Sequence, residues 1–315
     1  MRTRRGVALF TALALLVLIS GAAIELTAAA KPRRITVAAV LDRATLDAAA
    51  TAGIEHARAE LSRITRVGAL QSLRDPTRVL DAWTAAEGMV VAFSLGDDLE
   101  YRVVLRDAGA RLNLNAASED QLRQLFVALR IDARRADRLA QAIADWRDGD
   151  QLRRANGAER NDYLRDGRAM LPDDGPFANV AMLRFVMGMN DSLYRLVLPY
   201  VSTLGSGRVD VNAAARPVLI GLPGMTEESI GALLRYRQHG RRVTDLSRFA
   251  DELSPSARQR LRAAMQELQA MTVVEPREIH VASESWRRGT VTRVHVDAII
   301  SRDDEGRVVW RRVSP

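Results

Sequence analysis

Cysteine is absent from this 315-residue chain, which excludes disulfides and thiolate metal sites. Its absence is compatible with an oxidising compartment but does not place the protein in one. Lysine is almost absent too: Lys31 stands alone among 46 basic residues. An arginine bias of this kind in an alanine-rich chain reads as genome base composition. The arginines are scattered among 39 acidic residues, so a net charge of +7 and a pI near 10.5 do not by themselves call for a nucleic-acid partner. The four histidines (His56, His239, His280, His295) are widely spaced and none lies in an HExxH arrangement. No glycine-rich phosphate loop or nucleophile elbow occurs, and nothing else in the chain points to an enzyme.

What the chain does have begins at its N-terminus. Arg2, Arg4 and Arg5, then Gly6, stand directly against an apolar stretch. From Val7 to Ile24 no side chain is charged, and about 18 helical residues at about 1.5 Å each give about 27 Å, close to the hydrocarbon thickness of a bilayer. The arginines stay cytoplasmic and the rest of the chain is exported. Three fates fit the segment: cleavage near Ala28, Ala29 and Ala30 to release a soluble exported protein, no cleavage, or removal of a short basic leader ending in Gly6 so that Val7 becomes the mature N-terminus. The third is preferred, because the apolar run is longer than a usual signal core and the glycine precedes it. Arg5-Gly6 before an apolar helix resembles the prepilin-peptidase leader of type IV pilins and pseudopilins.

Beyond Lys31-Pro32, which ends or kinks that helix, Leu46, Ala50, Ile54, Ala57, Leu61 and Ile64 recur at helical spacing and form one apolar stripe. Val91, Phe93 and Leu95, the turn Gly96-Asp97-Asp98, and Tyr101, Val103 and Leu105 spell a β-hairpin. Near the other end Val294, Val296, Ala298 and Ile300, a turn at Asp303-Asp304-Glu305-Gly306, and Val308 to Val313 spell a second. Two-stranded units are not stable alone. The chain is therefore expected to be one α/β domain interrupted by a helical insertion, roughly Leu112 to Met271.

The middle contains a repeat. Arg111-Leu112-Asn113-Leu114-Asn115-Ala116-Ala117 matches Arg208-Val209-Asp210-Val211-Asn212-Ala213-Ala214. Each reads as a short strand whose asparagine, Asn115 or Asn212, caps the next helix. A second echo joins Leu183, Val186, Gly188 and Asn190 to Leu219, Leu222, Gly224 and Thr226: helix, glycine turn, then Asn190 or Thr226 as N-cap. Such helix-hairpin-helix units often bind DNA through backbone N–H groups. Here Thr226 replaces the second glycine of the DNA-binding form, and Glu227, Glu228 and Asp191 put negative charge where a phosphate would sit. Nucleic acid is not expected as a partner.

Leader, spine, hairpins and the Asn-Ala repeat around a helical insertion together resemble the minor pseudopilin K family of type II secretion systems over nearly the whole chain. The residues that carry the resemblance are Arg5-Gly6-Val7, Leu112 to Ala117, the block Asp145-Trp146-Arg147-Asp148-Gly149-Asp150 with Gly157-Ala158-Glu159 and Tyr163, and Val209 to Met225. The resemblance implies an α+β fold: a transmembrane spine helix and a pilin-like α/β domain with an antiparallel sheet, interrupted by an all-α, helix-hairpin-helix or SAM-like insertion. The divisions expected are a leader (1–6), a transmembrane helix (7–30), the pilin-like domain (31–111 and 272–315) and the inserted α-domain (112–271).

It also implies a single-pass inner-membrane protein with a periplasmic bulk, cleaved between Gly6 and Val7 by prepilin peptidase and N-methylated. Such a protein caps the pseudopilus with minor pseudopilins I and J, helps initiate assembly, and supports export of folded proteins, with contacts to secreted substrates or the outer-membrane secretin. Thr11 takes the fifth mature position, where most pseudopilins carry a glutamate that neutralises a neighbour's N-terminus; a lone charge there is costly, and its lack suits a first subunit. Family members bind calcium in the α-domain. Asp148, Asp150 and Glu159, with Asp162 as an added candidate, offer the hard oxygens required. Arg147, Arg153 and Arg154 stand ready to pair with the same carboxylates. The competing reading is a membrane-tethered or exported DNA-binding protein of competence type.

Overall fold

The computed structural model describes residue 13 and residues 15–20, 38–63 and 88–314. Gly6, Val7 and Thr11 lie outside the described residues, as does most of segment 7–30; residues 13 and 15–20 within it are helical and exposed (α1). Among the described residues no helix is long and apolar enough to cross a membrane.

Residues 38–63 form helix α2. Its stripe Leu46, Ala50, Ile54, Ala57 and Leu61 is buried as the spacing requires, while Ile64 falls outside the described residues. Strands β1 (Val90–Leu95) and β2 (Leu99–Asp107) follow as the expected hairpin. The chain then leaves for a helical region: β3 (Leu112–Asn113), α3 (Glu119–Ala128), α4 (Ala133–Arg147), α5 (Arg160–Arg165), α6 (Asp191–Val197), β4 (Val201–Ser202), β5 (Val209–Asp210), α7 (Arg216–Ile220), α8 (Glu227–Gln238), α9 (Leu246–Asp251), α10 (Pro255–Ala263), α11 (Met265–Met271) and β6 (Thr272–Val273). It returns as β7 (Glu278–Arg287), β8 (Arg293–Ser301) and β9 (Arg307–Ser314).

The main sheet is antiparallel with order β1-β2-β7-β8-β9, so the strands flanking the helical region lie side by side, Asp107 opposite Ile279. Its inner face, with Val103, Leu105, Val281, Val296 and Ile300, packs on the α2 stripe. The approach is close: a Cβ at Gly53 would collide with Ser283 Oγ, and Ser285 Oγ donates to the Leu46 carbonyl at 2.6 Å. At the junction with the helical region Gly109 is equally constrained, because a Cβ there would lie 2.9 Å from both Arg208 O and Asp210 N.

The helical region consists of two successive units, each closed by a two-residue parallel pairing, β3 with β4 and β5 with β6. The turns read from the sequence are present. Gly188 and Gly224 adopt left-handed φ of 85° and 71°, and Asn190 and Thr226 accept the Leu193 and Ser229 N–H groups at 2.9 and 3.2 Å.

The expected role of the two repeat asparagines is corrected. Ser118 caps α3 in a capping box with Gln121, and Ala215 precedes α7, whose first turn carries Pro217. Asn115 instead grips the Phe177 backbone, donating to its carbonyl at 3.1 Å and accepting its N–H at 2.8 Å. Asn212 does the same to Val243, at 2.7 and 2.9 Å, and adds the Val274 carbonyl at 2.8 Å. Each unit also ends its long helix on a half-buried arginine that donates to two carbonyls of the repeat segment. Arg147 bonds Leu114 and Ala117, and Arg237 bonds the equivalent Val211 and Ala214. Short side chains that pin backbone across a unit explain why the motif recurs.

Candidate metal centre

Helix α4 starts on Asp132, which accepts the Arg134 and Arg135 N–H groups. Its buried face runs through Leu139, Ala140 and Ile143 to Trp146, and it stops where Arg147 turns back onto the repeat segment. Asp148 follows in extended conformation. From here the chain wraps an aromatic core of its own. Trp146 meets Tyr163 edge-on at 5.4 Å and stacks on Phe177 at 6.0 Å, and the Tyr163 hydroxyl accepts the Met187 N–H at 2.8 Å. All three rings are buried, and this core fixes a polar loop that has no helix or sheet to order it.

Three of the carboxylates expected to bind calcium converge there. Asp148, Asp150 and Glu159 each bring an oxygen within 4.8 Å of the others. Asp162 does not join them: it accepts the Glu159 N–H at 2.9 Å and pairs with Arg165 at 2.8 Å. The arginines divide as well. Arg147 serves the repeat backbone, Arg153 approaches Asp162 at 4.0 Å, and Arg154 enters the loop to pair with Asp145 and Asp148.

The donor set fits a hard divalent ion. Glu159 is only 4% exposed, yet neither of its carboxylate oxygens, nor Asp148 Oδ1, has a hydrogen-bond partner among the described residues. Burying an unpaired carboxylate is costly. Burial, then the charges of Asp145, Asp148, Asp174 and Asp150, push the Glu159 carboxyl up to about 7. Such a group is satisfied either by a proton or by a cation with several oxygen ligands, which is the calcium pattern. Gly157 leaves room for the buried Asp145 carboxylate beside the loop, since a Cβ there would collide with Asp145 Oδ2. Asp145 and Asp174 were not read as site residues from the sequence. The three-residue spacing of Asp145 and Asp148 along the sequence was the available signal for the first, whereas Asp174 sits in a bend with φ of 51° that no local pattern announces.

The family described as type II secretion system (T2SS), protein K, matches residues 103–206, which include β3, α3, α4 and the whole acidic loop. The likeness to protein K thus falls on the segment that holds the acidic loop. Relatives named type II secretion system protein K include one from Pseudomonas aeruginosa, 32% identical over 199 residues, 58% of either chain. Another, from Dickeya chrysanthemi, is 38% identical over 90 residues, 29% of this chain and 24% of that one. The matched stretch thus spans 58% of the Pseudomonas protein K and 24% of the Dickeya one. The fold is similar to that in the crystal structure of the GspK-GspI-GspJ complex of enterotoxigenic Escherichia coli, with a TM-score of 0.58 and 20% identity over 87% of this chain and 99% of that one.

Proposed function

We propose that this chain is a minor pseudopilin of a type II secretion system, standing at the tip of the pseudopilus with minor pseudopilins I and J, where it helps initiate assembly and supports export of folded proteins. The observation that carries the reading is the match of residues 103–206 to protein K within a chain whose sheet packs on helix α2 and whose fold is similar to that in a GspK-GspI-GspJ complex. In this reading residues 7–30 anchor the chain in the inner membrane after prepilin peptidase cuts between Gly6 and Val7, Thr11 leaves the fifth mature position uncharged, and residues 112–271 form the α-domain. Asp148, Asp150 and Glu159 hold calcium, which steadies the loop against five crowded carboxylates; no catalytic role is part of the proposal.

Mass spectrometry of the mature N-terminus, after expression beside a prepilin peptidase, tests the core of it. A methylated start at Val7 is expected, and a start near Lys31 would sink the pseudopilin reading. Co-purification with I and J from the same host checks the partners. The DNA-binding alternative draws no support from the relatives. At the α8 turn Glu227 pairs with Arg216 and Glu228 bonds Ser254, so carboxylates occupy the ground a phosphate backbone would need.

A further inference from the structure

Arg154 threads its guanidinium into the acidic loop. Nη1 lies 2.5 Å from Asp148 Oδ2 and 2.6 Å from Asp145 Oδ1, and Nε lies 3.5 Å from Glu119 Oε2 on α3. One oxygen of Asp148 is therefore already committed, while Oδ1 stays open toward Asp150 and Glu159. Asp145 is completely buried and faces Arg154, whose backbone N–H also approaches it at 3.3 Å. Its charge is neutralised in place, not offered to an ion. Were Arg154 neutral, the pocket would present Asp145 and both oxygens of Asp148 to a cation in addition to Asp150 and Glu159.

We infer that Arg154 is a resident counter-cation that sets the affinity of this site: it withdraws Asp145 and one oxygen of Asp148 from ligation, and its fixed positive charge opposes the incoming ion. The inference rests on the calcium reading of the loop. Its physical basis is that calcium affinity in oxygen sites is tuned by the number of ligand charges and by site rigidity, from nanomolar in charge-rich cages to millimolar in extracellular modules. A like charge bonded to a ligand must weaken binding. The same contact holds the loop together in the calcium-free protein, because it relieves repulsion among carboxylates that otherwise face one another. Arg154 thus shifts the site toward the weak end of the range, where it loads and unloads with ambient calcium and keeps its shape in both states.

Isothermal titration of the full chain in detergent with calcium chloride, comparing wild type, Arg154→Gln and Arg154→Lys, tests this. The glutamine variant should bind calcium about tenfold more tightly and show a larger calcium-induced rise in Tm, because its calcium-free form is weakened. The lysine variant keeps the charge and should bind close to wild type. In case Arg154→Gln fails to fold with Asp145 left unpaired, the pair Asp145→Asn and Asp145→Asn/Arg154→Gln asks the same question without the buried carboxylate, and the double variant should bind more tightly than the single. Equal or weaker binding by the folded glutamine variants would overturn the role of Arg154. Tight binding by Arg154→Gln with none by wild type would overturn the reading that the natural site loads with calcium, and with it the inference that Arg154 tunes a working site. No binding by any of the proteins would overturn the calcium reading itself, and the inference with it.

Discussion

At Glu159 a carboxylate sits almost out of solvent with neither oxygen bonded among the described residues, and its carboxyl is pushed up to about 7 by burial and by Asp145, Asp148, Asp174 and Asp150. An ordinary glutamate in the unfolded chain titrates near about 4.3, so the calcium-free folded state holds this proton more tightly than the unfolded one. The stability it lends is fully present below the unfolded value and is lost as pH rises from about 4 through about 7. In a chelator, Tm should accordingly fall across that window, calcium should restore it at the alkaline end, and Glu159→Gln should flatten the profile while abolishing the calcium effect. A melt series at several pH values, with and without calcium, checks all three. Gly157→Ala should cost about 1–3 kcal/mol in urea unfolding, because the added methyl meets Asp145 Oδ2 in a packed site. Asp148, Asp150 and Glu159 could be singled out beforehand because acidic type and family resemblance point the same way. The division of labour around them could not: whether Asp162 ligates or caps, and which arginine enters the loop, depends on where α5 starts and how Arg147 is consumed, which are facts of packing.

The elements that carry one clean period were legible. The α2 stripe and both hairpins lie where the spacing put them, since each buries one face against a single partner. Strand β7 was not singled out, and the cause lies in its composition. It turns Ile279, Val281, Ser283 and Ser285 toward α2, so half of its buried face is serine, while Trp286 sits on the opposite parity. Serine fits there because Gly53 brings α2 close and Leu46 offers a carbonyl. The asparagine repeat was visible as a repeat but not as a clamp, because its partners Phe177 and Val243 are 62 and 31 residues away. From that geometry, Asn212→Ala should destabilise the protein by about 2–4 kcal/mol, as it strands several backbone groups at once. Arg237→Lys should cost about 1–2 kcal/mol, because an ammonium lacks the planar fork that spans two carbonyls. Denaturant titrations with a comparison at Asn115 and Arg147 would show whether the two units respond alike.

At the scale of the whole molecule, the helical region is an insertion into what would otherwise be a hairpin, since β2 and β7 are neighbours with Asp107 opposite Ile279. Replacing residues 108–278 by an Asn-Gly turn should preserve that register. The shortened protein should keep its sheet signal in circular dichroism and a cooperative melt, and should lose calcium binding; an unfolded product would show that the sheet depends on the insertion. The same arrangement gives the molecule a mechanical direction. Both tethers of the insertion leave from one end of one strand pair, so a tug on it strains the β2–β7 hydrogen bonds singly, beginning beside Asp107. A push instead presses Gly109 onto the backbone at Arg208 and Asp210, where not even a methyl group would fit between them. Built this way, the junction should yield to traction one β2–β7 hydrogen bond at a time and meet thrust with backbone already in contact.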